Sequence, residues 1–133
     1  MRRLFAGLMM LAVLACGDSV TDPAAALVGN WNLSTANGSA MPFLAGGSGA
    51  NKTELTGAVL SVTATGYTII FSVRTTTNGV ASTATSTDAG TYVVSGTTIT
   101  LHSTVDASVT PTGTISGNTL TLSVPGYVYV FTR

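Results

Sequence analysis

From Leu27 onward, short runs of alternating apolar and polar residues are broken at regular intervals by turn pairs: Asn37-Gly38, Thr65-Gly66, Asn78-Gly79, Gly117-Asn118 and Pro125-Gly126. A period of two puts every second side chain on one face of an extended strand, and tight turns join such strands antiparallel. Asn-Gly is the strongest of these signals, because both central residues of a type I′ turn need positive φ. The pattern predicts strands over 30–36, 57–64, 67–76, 80–94, 98–104, 110–116, 119–124 and 127–132, with the longest bent at Gly90. Glycine inside a strand often marks such a bend. The Gly- and Ser-rich stretch from Met41 to Asn51 is expected to be the one long irregular loop. No segment from residue 27 on spaces apolar residues at i, i+3, i+4 and i+7, so helix is limited to a turn or two.

The chain holds 24 Thr and 13 Ser, all beyond residue 18, which again favours strands. A Rossmann unit, a zinc ribbon, a coiled coil and a disulfide scaffold are excluded, for want of Gly-rich nucleotide loops, cysteine pairs, heptads or more than one Cys. The run Ser95-Gly96-Thr97-Thr98-Ile99-Thr100-Leu101 returns as Ser116-Gly117-Asn118-Thr119-Leu120-Thr121-Leu122, which reads as two similar hairpins. A meander of eight strands leaves an unpaired edge at each end, and closing the sheet removes both while burying its apolar face. The expected fold is therefore all-β, an eight-stranded antiparallel up-and-down meander closed into a small barrel. An open sheet or a two-sheet sandwich is the alternative. The last strand is apolar on both faces, so it either pairs centrally or offers a sticky outer surface.

The first fifteen residues form a separate feature. Met1-Arg2-Arg3 is followed by an uncharged apolar run from Leu4 to Ala15, too short to span a bilayer, which needs about 20 apolar residues. It reads as an export signal. Its end, Val13-Leu14-Ala15-Cys16, resembles the lipobox of bacterial lipoproteins, which implies cleavage before Cys16 and lipid attachment to it. Lipidation also accounts for a lone cysteine in an exported chain. The expected organisation is a signal peptide over 1–15, a lipidated tether over 16–26 and a domain over 27–133, anchored to a membrane of the cell envelope. Without the leader, Lys52, Arg74 and Arg133 stand against Asp18, Asp22, Glu54, Asp88 and Asp106. Nothing in that balance resembles a nucleic-acid footprint.

Gly29-Asn30-Trp31, opening the first strand, resembles the Gly-x-Trp motif of lipocalin-like barrels. The resemblance implies that Trp31 plugs the closed end of the barrel under a basic residue, for which Arg133 is placed at the chain's end. The family's second motif is matched loosely, with altered spacing, by Thr87-Asp88-Ala89-Gly90-Thr91-Tyr92. Trp31-Asn32-Leu33 with Asn37-Gly38 is also similar to META-type domains of bacterial envelope proteins. Neither fold carries one function.

Converging polar groups for catalysis are scarce. His102 is the only histidine, and Asp106 lies beyond its strand; no nucleophile is marked out by a special turn. The five carboxylates read as tether, loop or turn residues, so neither an enzyme nor a metal or cofactor site is expected. Tyr67, Ile69, Phe71, Tyr92 and Tyr129 are the candidate lining of a ligand pocket. An eight-stranded barrel is just wide enough to be packed solid or to hold one small ligand. Two functions follow: a module binding a small apolar ligand, or a packed barrel that docks an envelope protein or protease through its last strand or the Met41 to Asn51 loop.

Overall fold

The computed structural model describes residues 22–133. A short helix, α1 (Pro23–Leu27), precedes ten strands: β1 (Gly29–Ala36), β2 (Ser39–Ala40), β3 (Phe43–Ser48), β4 (Asn51–Val62), β5 (Tyr67–Thr77), β6 (Val80–Ser95), β7 (Thr98–Ser103), β8 (Thr112–Ser116), β9 (Thr119–Val124) and β10 (Tyr127–Thr132). Eight of them, β1 and β4 to β10, form a closed antiparallel barrel, with β2 and β3 as additions at its rim. Closure comes from β1, which pairs with β4 from Gly29↔Val62 to Asn32↔Val59 and with β10 from Asn32↔Thr132 to Ala36↔Tyr129. The last strand is therefore central, and its outer side chain Val128 is exposed.

The turns sit where the residue pairs place them. Asn37-Gly38 and Asn78-Gly79 both have positive φ at both positions, the type I′ geometry that matches strand twist. The two copies of the internal repeat are equivalent hairpin turns, Ser95↔Thr98 and Ser116↔Thr119, joined side by side where the Ile115 amide donates to the Thr97 carbonyl.

Gly90 is a corner. β6 pairs with β5 from Val80 to Gly90 and with β7 from Gly90 to Ser95, so the strand changes partner at this residue. A Cβ there would overlap the carbonyl oxygen of His102. Above the corner, residues 80 to 87 of β6 are exposed, and the sheet β3-β4-β5-β6 stands up past the barrel on one side.

Below the corner the barrel is packed. Trp31, Leu60, Ile99, Leu101, Leu120 and Phe131 are fully buried. Glycine lets two strands approach inside this core, since a Cβ on Gly113 would overlap the Thr121 carbonyl.

Three expectations are corrected. Met41 to Asn51 is no irregular loop: Phe43–Ser48 is strand β3, paired with β4 from Phe43↔Leu55 to Ser48↔Asn51. Its small residues carry little strand preference of their own, and pairing with β4 supplies the order. For the same reason β4 begins at Asn51, well before residue 57. A register shift between Leu55 and Gly57 flips the alternation, so Leu55 and Ala58 both face inward and the period of two is broken. The described part of the segment read as tether folds as α1, capped by Asp22, whose Oδ1 accepts from the Ala24 amide at 3.0 Å.

Candidate ligand-binding cleft

At one end the barrel is sealed. The Trp31 indole N–H donates to the Leu27 carbonyl at 2.9 Å, which ties α1 under the strands, and Leu27 is itself fully buried. Arg133 lies over the other side of the indole, its Cζ 4.2 Å from the ring centroid. Its Nη1 reaches the Val28 carbonyl at 3.4 Å.

The opposite end is open. A cavity of about 300 Å³ lies between β5, β6, β9 and β10, walled by Ile69, Phe71, Leu122, Val124 and Tyr129 and edged by Val109 and Pro111 of the loop after β7. A second hollow of about 250 Å³ shares Phe71 and Tyr129 and continues beneath Phe43, Leu55 and Tyr127. The rings that separate and line the two form a connected series. Phe43 meets Tyr127 edge-on at 6.1 Å, Tyr127 stacks on Tyr129 at 5.7 Å with the planes 4° apart, and Tyr129 leans on Phe71 at 5.7 Å. Offset stacking and edge-to-face contact are the arrangements that aromatic quadrupoles favour.

One charged group enters this apolar wall. Asp88 lies opposite Ile69 on the inner face of β6 and lines the larger cavity. Its Oδ2 accepts from the Tyr67 hydroxyl at 2.8 Å, and its Oδ1 accepts from the Ser103 hydroxyl. Ser103 Oγ in turn accepts from the amides of Val105 and Asp106 at 3.0 and 2.9 Å, which holds the loop at the cleft's edge. Burial pushes the Tyr67 phenol above its usual range, and the neighbouring carboxylate adds to the effect. Burial and then the nearby Tyr127 raise Tyr129 as well. Both phenols therefore ionise less readily than a free tyrosine.

The cations lie elsewhere. Arg74 and Lys52 both bind Glu54, through Arg74 Nε and Nη2 at 3.0 and 2.8 Å and Lys52 Nζ at 3.1 Å. These contacts, the arginine's first, lower the Glu54 pKa. Arg133 is at the sealed end. Among the described residues Asp88 makes no ion pair.

Of the five pocket candidates, the structure brings Ile69, Phe71 and Tyr129 together around the cavity. Tyr67 is buried behind the wall and acts on it through Asp88. Tyr92 turns toward the sealed end, where its hydroxyl donates to the Thr63 carbonyl at 2.7 Å. His102 is exposed on the outer side of β7, and Asp106 instead accepts from Ser108 within its own turn. That contact lowers the Asp106 pKa. Among the described residues no three His, Cys, Asp or Glu side chains converge on a metal position. The placing of all five carboxylates in tether, loop or turn is corrected for two: Glu54 is in β4 and Asp88 in β6. Cys16 and the leader lie outside the described residues, and no described helix is long and apolar enough to cross a membrane. Comparison with models of known families, with curated proteins and with solved structures finds no match.

Proposed function

We propose that this chain is a binding module that takes a small apolar molecule into the open end of its barrel. In this reading it is a lipocalin-like lipoprotein, exported and held to the bacterial envelope through Cys16. The cavity of about 300 Å³ walled by Ile69, Phe71, Leu122 and Tyr129 carries the reading. Such a volume is at the lower end of the range for ligand sites, about 300–1,000 Å³, which are typically apolar hollows with few polar groups. A barrel packed solid along its whole length would leave no such space. Here a hollow remains beside Asp88, and the polar groups that line it are few enough to set orientation.

The test uses Nile red, a neutral dye that brightens in apolar surroundings. Saturable, one-to-one brightening with the wild type, abolished by filling the cavity with Val109→Trp, supports the cleft. A dye response that does not saturate, or that survives Val109→Trp unchanged, would instead favour the packed barrel that docks a protein.

A further inference from the structure

We propose that the ligand of this cleft is a small organic cation, an apolar or aromatic amine whose ammonium sits against the carboxylate of Asp88. The inference rests on the reading of the cleft as a ligand site and adds the chemical class.

Three observations support it. The first is the placement of the charge: Asp88 lines the same apolar cavity as Ile69, Phe71, Leu122 and Tyr129. Partly removing a carboxylate from water costs free energy unless something of opposite charge returns it. The second is the absence of a counter-ion within the described protein. Lys52 and Arg74 are both engaged by Glu54, and Arg133 is stacked on Trp31 at the sealed end. The third is unfilled bonding capacity. A carboxylate offers about four acceptor positions, and the hydroxyls of Tyr67 and Ser103 occupy one on each oxygen.

A purely architectural role does not call for the charge. The Ser103 hydroxyl from β7 needs an acceptor and the Tyr67 hydroxyl from β5 can donate or accept, so a neutral amide, with its oxygen on Ser103 and its N–H on Tyr67, also bridges the two strands. An ammonium uses what the carboxylate adds. It gains a charge-assisted hydrogen bond in a cavity whose wall also carries the rings of Phe71 and Tyr129, a kind of group that attracts cations. A neutral ligand without a donor would cover the free acceptor positions without replacing water, a neutral donor would supply only an uncharged hydrogen bond, and an anion would be repelled. The cavity's size selects a compact amine over a lipid with two acyl chains.

The experiment is displacement of Nile red from the purified protein by three molecules of matched shape: phenylbutylamine, phenylbutanol and phenylbutyrate. The amine should bind about tenfold tighter than the alcohol, the worth of one charge-assisted contact, and the carboxylate should be weakest. Asp88→Asn keeps one oxygen for the Ser103 hydroxyl and turns an amide N–H toward the Tyr67 oxygen, which can accept it, and it should bring amine and alcohol to within about twofold of each other. Equal affinity of wild type for amine and alcohol, or preference for the carboxylate, overturns the inference and leaves the cleft intact. Failure of Nile red to bind removes the cleft itself. Should Asp88→Asn not fold, the ranking on the wild type decides alone. Glycerophosphoethanolamine, which carries the ammonium on a lipid headgroup without an apolar body, should not compete. Competition by it would give the site to a headgroup and overturn the small amine.

Discussion

Arg133 covers the indole of Trp31, its Cζ 4.2 Å from the ring centroid, although the two residues stand near opposite ends of the described chain. The pairing Asn32↔Thr132 makes them neighbours, so the contact forms only when first and last strands have met. Trp31 is fully buried, and truncating such a ring typically costs ~3–5 kcal/mol through lost contacts and the cavity left behind. Trp31→Ala should lower the urea midpoint accordingly. Arg133→Ala removes an exposed cation from the ring and should cost only about 0.5–1 kcal/mol. Thr68→Ala, on the outer face of β5, should stay within about 0.5 kcal/mol of wild type. Similar losses at Trp31 and Thr68 would show that the indole does not hold the sealed end.

Gly90→Ala tests the corner of β6. The added methyl would collide with the backbone oxygen of His102, which cannot swing aside as a side chain can. Overpacking of this kind costs about 1–3 kcal/mol. Gly57 is the matched control, since a Cβ there meets nothing within 4 Å. Gly57→Ala should be neutral or slightly stabilising in the same thermal melt, and a harmless Gly90→Ala would mean that β6 can turn without the glycine.

The Glu54 cluster predicts an acid-sensitive share of stability. Arg74 and Lys52 lower its pKa in the folded protein, so the folded state binds this proton less readily than the unfolded chain does. The contribution is therefore fully present above the ordinary carboxylate value of 4.5 and is lost as pH falls through the lowered folded value. Urea midpoints taken from neutral to acid pH should fall for wild type more steeply than for Glu54→Gln. Parallel curves would assign the acid dependence to other groups.

Asn37 joins two turns at the open end. Its Oδ1 accepts from the Val128 amide at 2.7 Å, and its Nδ2 donates to the Gly126 carbonyl at 3.3 Å, while its own φ is 49°. Asn37→Ala loses both contacts and the left-handed preference, an expected cost of about 1–3 kcal/mol. Because Tyr127 and Tyr129 follow directly on this clamp, Nile red affinity should fall with it. Unchanged affinity would separate the clamp from the cleft.

Lipidation at Cys16 is tested in cells. A fatty-acid analogue fed to a bacterial host should label the wild-type chain and spare Cys16→Ser. Equal labelling of both would remove the anchor from the proposal.

Local rules made most of the barrel legible. Asn37-Gly38, Asn78-Gly79 and Pro125-Gly126 mark real reversals, and between them alternation holds wherever the strand is regular. Where a bulge resets the period, as between Leu55 and Gly57, the reading stops short and β3 and the first half of β4 disappear from it. Phe43 to Ser48 is ordered by its partner strand, which is information no single run contains. Asp88 was hidden for a different reason. The strand expected over 80–94 contains it although it reads among turn carboxylates, and counting outward from Asn78-Gly79 pairs Thr77 with Val80 and, at the same register, Ile69 with Asp88. The hairpin register already contained the inward carboxylate. Which of the predicted aromatic residues share one cavity, by contrast, depends on how far up the barrel each stands, and Tyr92 falls beyond the Gly90 corner for that reason.

The helical turn docked by the Leu27 carbonyl fixes the pole at which the described chain enters the barrel. The chain enters at the sealed pole, and the pole ringed by Phe43, Val109 and Pro125 is the distal one. Under the proposed lipidation at Cys16, the attachment would lie on the side of the sealed pole, opposite the aperture. Under that reading a bound molecule would exchange with the aqueous compartment, and the lipid would serve as moorage and not as reservoir.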